Sequence, residues 1–111
     1  MLGTHQQIDD RSLAMHRLIA KKLRRDPELL SKAKATLARW RRKGDESTRA
    51  YDDEWVRALD AGLDATLRIA LGRSQRATAL RQCSPFAGIL TPQERSAFLR
   101  AWKQRRASTR S

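Results

Sequence analysis

A chain of 111 residues with 40% hydrophobic content fits one domain with a modest core and leaves little length for a second. Its 24 Lys and Arg against 12 Asp and Glu give a net charge of +12, which points to a polyanion or an acidic protein as partner. No apolar run approaches the ~20 residues of a membrane span, the lone Cys83 rules out an internal disulfide, and His5, His16 and Cys83 are too few to build a four-ligand structural zinc site.

The first twenty residues lack the apolar core of a signal peptide, so the expectation is a cytoplasmic protein. Charge is unevenly spread. Residues 1–44 carry 12 basic and 4 acidic side chains, residues 45–83 carry 6 and 7, and residues 84–111 carry 6 and 1. The basic residues gather in three tracts: Lys21, Lys22, Arg24 and Arg25; Arg39, Arg41, Arg42 and Lys43; and Arg100, Lys103, Arg105 and Arg106. Each falls towards the end of a predicted helix, where one or two cations offset the helix dipole by about 0.3–1 kcal/mol each. Tracts of four exceed that need and point to a negatively charged partner.

In chain order, Met1–Gln7 reads as a loose end, and a first helix is expected from Asp9 or Asp10, either able to cap it, to Arg25. Met15, Leu18, Ile19 and Leu23 form its apolar stripe. Asp26-Pro27-Glu28 supplies a cap, a first helical residue and an anion at the positive end of the next helix, so the two helices meet at a tight corner. The second helix sets Leu30, Ala33, Leu37 and Trp40 on one face and stops at Gly44. Residues 44–49 are a polar linker and the best place for a flexible joint.

A third helix from about Ala50 carries Tyr51, Trp55 and Leu59 at intervals of four, and a fourth segment follows Gly62, which is expected to kink the chain. Ser74 caps a further helix that ends near Cys83. The segment Ser84-Pro85-Phe86-Ala87-Gly88-Ile89-Leu90 is apolar but kept from helix by Pro85 and Gly88, so Phe86, Ile89 and Leu90 are expected to enter a core or a partner. Thr91, Pro92 and Glu94 form a capping box that opens the last helix, which runs to about Arg106. Residues 107–111 are expected to be disordered. No segment alternates as a strand requires. The expected fold is all-α, with five or six helices: an N-terminal basic pair over residues 1–44, a linker over 45–49 and a C-terminal bundle over 50–106.

Catalytic signals are sparse. Asp52, Asp53 and Glu54 fall in the first turn of a helix, where anions are stabilising without any chemistry. Ser84 and Cys83 have no evident base, because His16 is the only histidine inside a predicted element and reads as a half-exposed polar residue. Cys83 reads as a small buried hydrophobe. The five glycines form no phosphate loop. The expectation is a non-enzyme without metal or cofactor. Trp40, Trp55 and Trp102 are core anchors by their stripes, with at least one expected at an interface.

The run Met15-His16-Arg17-Leu18-Ile19-Ala20, Lys22-Leu23, Asp26-Pro27-Glu28-Leu29-Leu30, Ala33, Leu37, Arg39-Trp40, Trp55, Leu59, Leu80-Arg81-Gln82 and Ser84 through Arg95 resembles a family of small helical bacterial proteins encoded beside nucleotidyltransferase-type toxins. The resemblance implies an antitoxin that binds such a toxin and blocks its active site or its substrate's approach. Relatives are expected to carry Gly-Pro before the fourth helix. Here Leu63 follows Gly62, which leaves the sharpness of that bend open. In the implied picture a basic surface occupies an acidic toxin cleft. Trp40, Pro85, Phe86, Ile89 and Trp102 supply apolar anchors, and Arg39, Arg41, Arg42, Arg95 and Arg100 pair with toxin carboxylates, for which the bidentate guanidinium is suited. The competing class is a basic nucleic-acid-binding protein, either a DNA-binding autoregulator or an RNA-binding module. Against it, the last two predicted helices are separated by about eight residues, more than the ~3–4 of a helix-turn-helix. A third class is a protein that associates with a second copy of itself.

Overall fold

The computed structural model describes residues 2–44 and 46–109. Among them are six helices and no strand: α1 (Leu2–Arg25), α2 (Leu30–Lys43), α3 (Arg49–Ala61), α4 (Leu63–Ala70), α5 (Gln75–Gln82) and α6 (Pro92–Thr109). The chain is an all-α domain, and no described helix is long and apolar enough to cross a membrane.

Two helices are longer than the sequence suggests. α1 begins at Leu2 rather than near Asp9. Nothing between residues 2 and 8 breaks a helix, and Gln6 donates to Asp10 Oδ1 across one turn at 3.1 Å, so Asp10 supports a helix interior instead of capping a start. α6 continues to Thr109, through the start of the segment expected to be disordered; residues 110 and 111, like Met1, lie outside the described residues.

The punctuation between helices follows the residues that enforce it. Asp26 caps with its backbone instead of its side chain: its carbonyl accepts from Leu29 N at 3.1 Å, and Pro27–Leu29 forms a 3-10 turn before α2. α2 stops at Gly44 in the left-handed conformation (φ 71°, ψ 29°). Gly62 breaks the chain outright. Its φ of 121° with ψ −174° is a conformation essentially reserved for glycine, and it serves both as the end of α3 and the start of α4. Buried Thr66 ties the two helices across that break, its hydroxyl lying 3.1 Å from the Ala58 carbonyl and 2.8 Å from that of Gly62. Ser74 Oγ accepts from Ala77 N at 3.0 Å and caps α5 as expected.

A single core runs through both halves of the chain, joining Ile19 and Leu23 of α1, Ala33 and Leu37 of α2, Trp55 and Leu59 of α3, Leu67 and Ala70 of α4, and Leu80 of α5. α4 packs on α3, α1 and α5, and α2 closes on α3. Trp55 is fully buried, and its indole N–H donates to the Leu80 carbonyl at 2.9 Å. The acidic triplet is structural. Thr48 donates to Asp52, Asp53 pairs with Arg41 of α2 at 3.0 Å, and Glu54 receives both Nε and Nη2 of Arg76, whose guanidinium also lies over the Tyr51 ring.

The 83–91 loop is part of this core. Pro85, Phe86 and Ile89 are almost fully buried, and the Phe86 ring meets Trp55 edge to face at 5.2 Å and His16 at 6.0 Å. Directly after it the capping box forms as the sequence requires: Thr91 N donates to Glu94 Oε1 at 2.8 Å and Glu94 N to Thr91 Oγ1 at 3.1 Å. Lys22 of α1 also reaches Glu94, holding its carboxyl below the usual range and fastening the start of α6 to the end of α1. From there α6 runs along the surface, with Arg95–Ala97, Leu99–Ala101 and Lys103–Arg105 exposed.

Open space surrounds both Gly62 and Gly88, yet only Gly62 has a positive φ. Gly62→Ala should therefore lower the stability measured by urea unfolding by about 1–3 kcal/mol through backbone strain alone. Gly88→Ala should be neutral or stabilising by up to about 1 kcal/mol.

Candidate functional site

α1 presents two faces to the rest of the molecule. Residues 8, 11, 12, 15, 16 and 19 recur at helical spacing and line a cleft of about 250 Å³, closed by Arg81 of α5, the 84–90 loop and Arg95 of α6. Asp9, Leu13 and Arg17 face a second hollow, towards Arg73, Arg81 and Trp102, of about 530 Å³. Arg81 forms part of the wall of both.

His16 sits at the base of the first cleft, 4% exposed. Its Nδ1 lies 2.7 Å from the Ser12 carbonyl, which can only accept, so Nδ1 carries the proton. Nε2 is then the acceptor, and the Ser84 hydroxyl, 2.9 Å away, donates to it. The sequence reading placed His16 half-exposed and gave Ser84 no base. The structure corrects both points, because a residue 68 positions away folds back over α1 and buries the imidazole under Phe86. The pair polarises the Ser84 hydroxyl, as an acceptor imidazole held at its far nitrogen does, and clasps the loop to α1. Burial pushes the His16 pKa below 6.5, the Ser12 carbonyl opposes that shift, and Arg81 adds to it.

Arg81 is a second buried polar group, 6% exposed. Its Nη1 donates to the carbonyls of Ala70 (3.3 Å) and Gly72 (2.5 Å), and its Nη2 to Thr78 Oγ1 at 3.3 Å. Nε is buried without a partner. Among the described residues no carboxylate stands at ion-pair distance from this guanidinium; Asp9 acts on it only through longer-range attraction. Cys83, half-buried, has its thiol pKa raised first by burial, then by Asp52, so it is no activated nucleophile.

The residues proposed from sequence as partner contacts divide into three groups. Pro85, Phe86 and Ile89 are buried core residues that offer a protein partner almost no surface, and of the three only Phe86 lines the first cleft. Arg39 and Arg42 are exposed at the end of α2, where Arg41 is occupied by Asp53 and Trp40 is half-buried beside Lys43, Thr48 and Asp52. Arg95, Arg100 and Trp102 share α6, where the Phe98 and Trp102 rings stack at 6.2 Å and Leu99 is 36% exposed. The α2 tract and α6 line different hollows. Sequence reasoning missed Arg11, Arg81, Ser84 and His16 as a group. The available signal was the stripe Ile8, Ser12, Met15, Ile19 with Arg11 among them, which is too long to be covered by a helix starting at Asp9.

No family model, curated protein or solved structure matches this chain.

Because His16 is held neutral in the fold, the unfolded chain binds a proton near pH 6.5 that the native site resists. Stability should be complete above that pH and fall as pH drops towards the lower native pKa. Urea midpoints should decline from about pH 7.5 to about pH 5.5, and His16→Gln should flatten that part of the profile.

Proposed function

We propose that this chain is an antitoxin-type binding protein: it docks on a nucleotidyltransferase-like toxin encoded beside it and occludes the toxin's active site. Supporting this is α6, a helix fastened at its N-terminal end that exposes Leu99, with half-buried Phe98 and Trp102 beside it, next to exposed Arg100 and Lys103. An apolar strip within a cationic surface matches a protein partner with an acidic, partly apolar cleft, and nucleotidyltransferases hold their metals with carboxylates. Aromatic and Arg anchors of this kind dominate binding hot spots. The pattern from Met15 to Arg95 that resembles toxin-linked helical proteins supplies the toxin as the partner. In this reading the buried loop residues act indirectly, by fixing where α6 begins.

The second reading, a nucleic-acid-binding protein, draws on the exposed Arg39, Arg42 and Lys43 at the end of α2. Such a surface would bind phosphate with steep salt dependence.

Co-expression with the genomic neighbour, followed by size exclusion at low and high salt, separates the two. The proposal expects a 1:1 or higher-order complex and rescue of growth, with Leu99→Asp plus Arg100→Glu, both exposed, weakening the complex at least about tenfold while thermal unfolding stays unchanged. A chain that elutes alone with nucleic acid, stripped by salt, overturns it.

A further inference from the structure

We propose that the cleft between α1, the 84–90 loop and α6 is a binding site for a carboxylate carried on a short apolar chain. Three arginines, Arg11, Arg81 and Arg95, line it, and no Asp or Glu does. Arg11 and Arg95 are exposed at its edge and, among the described residues, take part in no ion pair. Arg81 supplies the independent observation. It is a guanidinium with 6% exposure, held only by two carbonyls and a hydroxyl, with its Nε–H buried and unsatisfied. A buried cation with no carboxylate at ion-pair distance among the described residues is costly, and an anion bound in the cleft that Arg81 helps to line would offset that cost.

The remaining lining sets the chemistry of the anion. Ile8, Met15, Ile19, Phe86 and Leu90 give the cleft apolar wall beside its polar groups, so inorganic phosphate would satisfy the arginines but leave that apolar part wet. Arg forks match a planar carboxylate two bonds at a time. A cleft of about 250 Å³ has room for a short acid of the size of hexanoate. The acid can come from two sources, a free short-chain acid or a Glu side chain with an apolar neighbour on a bound protein.

The site is independent of the antitoxin proposal, and its test uses the full chain alone. Chemical shifts of the 15N-labelled protein are followed during titration with hexanoate, hexan-1-ol, inorganic phosphate and acetyl-Glu-Leu-amide. The proposal expects saturable hexanoate shifts at Ser84, Phe86 and Arg95, at least about tenfold weaker binding of hexan-1-ol and of phosphate, and a similar loss for hexanoate in Arg11→Gln plus Arg95→Gln. Both arginines are exposed and, among the described residues, outside any ion pair, so that variant should fold, which its unchanged spectrum away from the cleft verifies. Equal binding of hexan-1-ol, equal binding of phosphate, or full hexanoate affinity in the double variant overturns the site. Where hexanoate binds, binding of acetyl-Glu-Leu-amide at the same signals assigns the acid to a protein segment, and its failure to bind assigns it to a free acid.

Discussion

Burial of Phe86 between His16 of α1 and Trp55 of α3 is the contact on which the rest of this molecule depends. Fully burying a large apolar side chain contributes about 1.5–3 kcal/mol, and each edge-to-face ring pair adds about 0.5–1.5 kcal/mol. The non-helical loop that carries Phe86 is thereby locked onto a helical core. Pro85 and Ile89 fill in beside it, and the Ser84–His16 hydrogen bond closes its upstream end. Its downstream end is closed by the Thr91–Glu94 capping box and Lys22. A loop held at both ends leaves α6 a fixed starting point and direction for at least its first turns.

That arrangement separates residues that serve the fold from those left exposed in a way that charge alone does not. Three of the five arginines that the sequence names as partner contacts serve the fold or sit apart from α6: Arg41 bridges α2 to Asp53 of α3, and Arg39 and Arg42 are exposed in the last turns of α2. Surface pairs such as Arg41–Asp53 are worth about 0–1 kcal/mol, so the excess of basic residues is not explained by stability. What remains is a cationic exterior with exposed apolar side chains at Ile8 of α1 and Leu99 of α6, and a carboxylate-free, arginine-lined cleft between those two helices.

Local chemistry made much of this legible. Gly44, Ser74 and the Thr91–Glu94 box are short-range signals, and each acts at the residue the sequence indicates. The stripes of Leu23, Leu37, Trp55 and Leu59 were sufficient to locate the core. The start of α1 was misread because Asp9 and Asp10 are good caps, and nothing local reveals that Gln6 uses Asp10 as a neighbour within the helix. From sequence Gly62 predicts only a kink, because its ψ depends on how α4 packs back on α3, a tertiary matter. The His16–Ser84 pair and buried Arg81 were invisible for the same reason. Their partners lie far along the chain or are backbone carbonyls, and residue type alone carries no trace of either.

The claim that the clasped loop anchors α6 is tested most directly by amide hydrogen exchange on the intact chain and on Ser84→Ala. The account predicts that protection falls together across residues 84–91 and the first turns of α6, while the amides of α3 and α4 keep theirs. Unchanged protection in α6, with loss confined to the loop, would contradict it.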